Sequence, residues 1–152
     1  MNLRKSHIAM LLAAVLLTAC GCKSSRKAAA TVNVKPQFDG EVVWVLQTIR
    51  GNAPNYGEGQ KEITIQFNPE SGMVNGTSGC NRFFGSFKDH GSGRMELSDI
   101  GSSKMACPDA FMKLERNFLQ TLKKCDGYDL GEYQLDLKQG GNTVLSFYPR
   151  PE

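Results

Sequence analysis

Apolar and polar residues alternate with a period of two in several stretches of this chain. Ile63, Ile65 and Phe67 interleave with Glu62, Thr64 and Gln66, and Tyr133, Leu135 and Leu137 interleave with Gln134, Asp136 and Lys138. That period predicts strands with one face on a core and the other in water. Val42 to Ile49 is a further strand candidate, apolar, rich in β-branched residues and containing Trp44. Met73 to Thr77 follows the turn Asn68 to Gly72. Gly85 to Lys88 and Arg94 to Ser98 form a pair around the loop Asp89 to Gly93. Gly140-Gly141 is a hairpin turn that tolerates positive φ, and Leu145 and Phe147 lie on its return strand. Pro149 and Pro151 stop that strand, and the Gly-, Asn- and Pro-rich stretch 51–59 reads as a loop.

One segment has a helical period instead. Phe111, Leu114, Phe118, Leu122 and Cys125 recur at spacings of three and four, which makes one apolar stripe. Lys113, Glu115, Arg116, Lys123 and Lys124 lie off it. Pro108 suits a helix start and Asp109 complements the dipole there, while Asp126-Gly127 ends the run. The pattern predicts an α+β fold: a strongly curved antiparallel sheet or open β-barrel of about seven or eight strands. One helix, about residues 108–125, packs across it.

The N-terminal residues follow a different logic. Arg4 and Lys5 precede the apolar run Ile8 to Ala19, too short to cross a hydrocarbon core that needs about 20 residues. A basic start, a short apolar stretch and small residues at its end describe a secretory signal over residues 1–19. Leu17-Thr18-Ala19-Cys20 resembles the lipobox of bacterial lipoproteins, in which the cysteine is acylated and becomes the first mature residue. Cys22 lacks the aliphatic residue at the matching position. Residues 20–40 are small and polar and read as a lipidated start and flexible tether, leading to a domain over 41–149. No acidic run follows Cys20, so the expected location is the outer membrane, facing the periplasm.

Charge changes the picture little. Without Arg4 and Lys5 the formal net charge falls from +3 to +1, which gives no reason to expect nucleic acid as a partner. With His7 gone, His90 is the one mature histidine, so a two-histidine metal site is excluded and any Ser-His or Cys-His pair is restricted to His90. Gly76-Thr77-Ser78-Gly79 is a near miss for a nucleophile elbow, with Cys80 in the place of the final glycine. No phosphate-cradling loop occurs. The reading therefore carries no catalytic residue, no metal ligand and no cofactor. If Cys20 is acylated, Cys22, Cys80, Cys107 and Cys125 remain, with three full pairings open. Cys125 sits on the apolar stripe, where packing is its default role.

Placed in order, these segments resemble the META domain family, the HslJ-like bacterial lipoproteins. Trp44-Val45-Leu46 followed by Gly51 is similar to the family's opening strand. Val74 through Gly85, containing Gly79-Cys80-Asn81, is similar to its central motif, and Ser103-Lys104-Met105-Ala106-Cys107 is similar to its Thr-x-Met-Ala-Cys segment. Ser103 replaces the usual threonine and keeps the hydroxyl. Glu115, Phe118, Leu119 and Leu122 match the helix that follows. The resemblance implies a cell-envelope domain linked to stress, without established catalytic chemistry, and a Cys80–Cys107 disulfide. A loop of that length stabilises by about 3.5 kcal/mol on the chain-entropy estimate.

The function expected is a non-catalytic envelope module that binds a protein or an apolar ligand in the concavity of the sheet. The alternative is an envelope enzyme whose site the sequence hides. Arg82, Phe83 and Phe84 are the candidate contact residues. The two rings are consecutive, so on a strand they face opposite ways and only one can line a surface. Asn81, in a glycine-flanked turn, is expected to bond backbone rather than ligand.

Overall fold

In a computed structural model the described residues are 38–151. The expected signal peptide, Cys20, Cys22 and the expected tether up to residue 37 lie outside them. Strands β1 (Trp44–Ile49), β2 (Ile63–Asn68), β3 (Met73–Ser78), β4 (Arg82–Gly91) and β5 (Arg94–Ser102) follow one another. Helix α1 (Asp109–Leu122) comes next, then β6 (Gly127–Leu130), β7 (Leu135–Gln139) and β8 (Asn142–Pro149). Each strand pairs antiparallel with its sequence neighbour, and β8 returns to pair with β1, so the sheet closes into a ring. The fold is α+β, as the alternation predicts, and the barrel is closed rather than open.

The closure is uneven. β1 and β8 share a long ladder from Trp44↔Pro149 to Ile49↔Leu145. β5 and β6 meet at the single register pair Arg94↔Gly127. Helix α1 is the connection between those two strands, and it packs against β3 and β8. Phe118 and Leu122 on its inner face are fully buried, and the Phe118 ring meets Phe83 at 5.5 Å in an edge-to-face arrangement.

The inside of the ring is filled. Ile63, Ile65, Phe67, Val74, Phe83, Leu135, Leu137, Leu145 and Phe147 point inward and form one cluster with Phe118 and Leu122. The concavity expected to hold a ligand is thus occupied by side chains. Gly76 belongs to this packing. A Cβ there would lie 1.9 Å from the Thr64 carbonyl oxygen and 2.9 Å from the Phe83 ring, so glycine lets that ring close on the strand.

Several boundaries differ from the sequence reading. Phe38, which the sequence reading puts in the tether, is buried. Its buried ring packs on Phe67, Phe87 and Tyr128 at 4.6, 5.1 and 4.9 Å, although the residue lies in no strand. The Gln66 side-chain amide donates to the Gly40 carbonyl at 2.6 Å and holds this segment against β2. β4 runs on to Gly91, leaving only Ser92 and Gly93, both at positive φ, as a two-residue turn. The helix stops at Leu122, so Lys123 and Lys124 lie beyond its last turn. β6 was not expected, and exposed Tyr133 precedes β7 instead of opening it.

Candidate functional site

The residues of the central motif meet at the turn between β3 and β4. Gly79, at φ 93°, turns the chain into Cys80 and Asn81. Ser78 donates both its backbone N–H and its hydroxyl to the Asn81 carbonyl, at 2.8 and 2.9 Å. The Asn81 side chain then reaches two distant segments. Its Nδ2 donates to both Glu115 carboxylate oxygens at 3.2 and 3.0 Å, and its backbone N–H donates to Oε2 at 3.1 Å. Its Oδ1 accepts from the Ser103 hydroxyl at 2.9 Å and from the Met105 backbone N–H at 2.8 Å. Cys80 is joined to Cys107 by a disulfide with the Cα atoms 6.2 Å apart.

Three segments are therefore tied at one point: the β3–β4 turn, the strip 103–107 and helix α1. Asn81 bonds backbone, as expected, but across the fold rather than within its own turn. Every one of its polar groups is engaged, and a fully bonded side chain has nothing left with which to hold a substrate. Glu115 is buried, although the helical stripe puts it on the solvent side. The sequence pattern missed it because the apolar period records only hydrophobic contacts. Its carboxylate is met by amide donors instead, as a buried charge requires.

Other groups are dispersed. His90 contacts Glu96 at 3.4 Å near the far end of β4. It stands eight residues along β4 from Arg82, at the opposite end of that strand from the turn that holds Ser78. Burial pushes the Cys125 thiol up to about 12, with Asp126 adding to the effect. Tyr128 is likewise pushed up to about 12, first by burial and then by its hydrogen bond to Asp89. Burial also raises Tyr56, whose hydroxyl accepts the Ile63 N–H at 3.1 Å. Among the described residues, no three or more His, Cys, Asp or Glu side chains gather as a metal site.

One open feature is on the outer face of the sheet. Val43, Thr64, Asn75, Arg82, Phe84 and Arg150 border a groove of about 450 Å³ across β2 to β4. Strand alternation separates the two phenylalanines: Phe83 is 1% exposed in the core, and Phe84 is 54% exposed at the groove. The Phe84 ring lies over Gly101 of the next strand, where a Cβ would stand 3.4 Å from it. Thr64 and Thr77 bond each other at 2.9 Å, and Arg150 reaches Glu62 at 3.3 Å. Arg82 has no carboxylate partner among the described residues. Of the three residues proposed from sequence, Arg82 and Phe84 thus face solvent together and Phe83 does not. Asn75 and Arg150 were missed. The period in β2 and β3 could have put Thr64 and Asn75 on the outer face, but nothing local shows that residue 150 joins them. A smaller depression of about 350 Å³ beside Met105 and Met112 has the already bonded Asn81–Glu115 pair in its wall.

The family profile of the META domain matches residues 37–152. An NMR structure of a protein from Burkholderia xenovorans is 25% identical, with a TM-score of 0.58 over 76% of this chain and 85% of that one. A second NMR structure is 24% identical, with a TM-score of 0.55 over 72% and 89% of the two chains, and shares the fold. No curated protein matches the chain.

Proposed function

This chain belongs to the META domain family, and from that premise we propose that it is a non-catalytic binding module of the bacterial envelope. One observation carries the reading. The motif residues are consumed in holding the β3–β4 turn to the helix, while Arg82 and Phe84, next to that turn, are left free at an open groove. The side chains with surplus bonding capacity thus form a contact surface rather than a nucleophile-and-base pair. The module works at the membrane through acylation of Cys20, on the outer membrane and facing the periplasm. Support for that comes from the basic start, the short apolar run and Leu17-Thr18-Ala19-Cys20. Anchoring raises the effective concentration of the groove for envelope partners.

A photoreactive residue placed at position 84 in living cells tests the surface, with position 133, also exposed, as the control. The expected result is a discrete adduct from 84 and none from 133. Equal adducts at both, or none at 84, would remove the groove from consideration. The anchor is tested separately, by labelling with a fatty-acid analogue. Cys20→Ala should abolish the label, and label that persists would shift the assignment to Cys22.

A further inference from the structure

We infer that the outer-face groove takes a small organic carboxylate carrying a flat apolar ring. This rests on the reading of the groove as the binding surface and adds the class of its occupant. Several polar groups at the groove already have partners. Thr64 and Thr77 spend their hydroxyls on each other and on the Glu62 carbonyl. Gln66 donates its amide N–H groups to the Gly40 and Glu41 carbonyls. What remains is the donor set of the Arg82 guanidinium and of the part of Arg150 not directed at Glu62, beside two neutral groups, the Gln66 Oε1 acceptor and the Asn75 amide, which both donates and accepts. No carboxylate borders the groove, and Glu62 at its margin is engaged by Arg150. A surface with two guanidinium groups and a donor surplus calls for an anionic acceptor. Planar guanidinium matches planar carboxylate in a two-point contact.

The apolar part follows from Phe84 and Val43. Phe84 is half-exposed and rests over Gly101, so its ring is placed by packing and offers a ready face. A ring on the ligand can stack there, offset, while its acid group reaches Arg82. The volume, about 450 Å³, is that of a small-molecule site rather than of a long polymer track.

The test uses the ¹⁵N-labelled full chain in detergent, with 2-naphthoate as probe, uncharged 2-naphthamide as its match, and an acidic peptide without aromatic residues as competitor. Naphthoate should produce saturable shifts at the Asn75, Arg82 and Phe84 amides. Naphthamide should bind markedly less well. Arg82→Gln should weaken naphthoate about tenfold, the scale of a hydrogen bond to a charged group, and Phe84→Ala should abolish saturation. Equal binding of the amide, unchanged affinity in Arg82→Gln, shifts elsewhere, no shifts at millimolar probe, or tighter binding of the peptide would each overturn the carboxylate assignment. An adduct at position 84 alongside such a failure would leave the binding-module reading standing. Failure of both experiments would remove the two together.

Discussion

The amide of Asn81 spans both oxygens of the Glu115 carboxylate, 34 residues further along the chain. The pair is buried, and the carboxylate is satisfied by neutral donors. Removing either side strands the other, and an orphaned buried polar group costs more than the bond itself contributed. Asn81→Ala should therefore lower unfolding stability by about 3 kcal/mol, more than a typical surface change. Asn81→Asp sets two carboxylates face to face, so it should be weak at pH 7 and recover in acid, where one proton can be shared. Urea titrations at pH 7 and pH 4 check both. An Asn81→Ala midpoint equal to wild type would show that the contact contributes nothing.

The Cys80–Cys107 disulfide acts on the same turn. Replacing both cysteines by alanine should lower stability by about 2–4 kcal/mol. Non-reducing digestion should release one crosslinked peptide that contains both residues. Recovery of Cys80 linked to Cys125 would contradict the pairing.

Phe83 and Phe84 should separate stability from binding. Phe83→Ala empties a core position and should cost about 3–5 kcal/mol. Phe84→Ala should move the unfolding midpoint little yet lose saturable 2-naphthoate binding, because half of its ring is exposed. Denaturation of both variants, with naphthoate titrations compared at equal folded protein, checks this. Unchanged naphthoate affinity in Phe84→Ala would clear Phe84 of any contact role.

The Cys125 thiol should resist alkylation while the domain is folded. Its folded pKa is raised to about 12 from an ordinary 9, so the native state holds the proton more tightly than the unfolded chain. This contribution to stability is complete below about pH 9 and is lost as pH rises toward 12, because the unfolded state ionises first. Iodoacetamide at pH 8 should modify Cys125 only under denaturing conditions. Fast labelling in the native state would show that the thiol is accessible.

Sequence reading was strongest where a local period meets a single burial direction. The alternation around Ile63–Phe67, the paired glycines at 140 and 141, and the stripe through Phe118 and Leu122 all correspond to elements of the structure. It failed where the determining partner is remote. β6 is four residues long and begins at Gly127, which reads locally as a helix stop. Phe38 looks like part of a leash because its three ring partners come from three different strands. Glu115 looks solvated because the amide that receives it is fixed by another segment. The same holds for the groove: its residues come from β2, β3, β4, the residue before β1 and the residue after β8, so no single window of sequence contains it.

The long β1–β8 ladder has a consequence for the order of events during synthesis. Trp44 waits for Pro149, and the Val43 carbonyl waits for the Arg150 N–H that bonds it. A chain elongating from its N-terminus can form the hairpins β2 through β5 early, since each is built from neighbours. The first strand keeps an open edge until β8 has been made. Truncation by even one strand at the C-terminus would leave that edge permanently bare, a template for pairing with other chains. Premature termination in this protein thus leads toward aggregation rather than toward a smaller working domain.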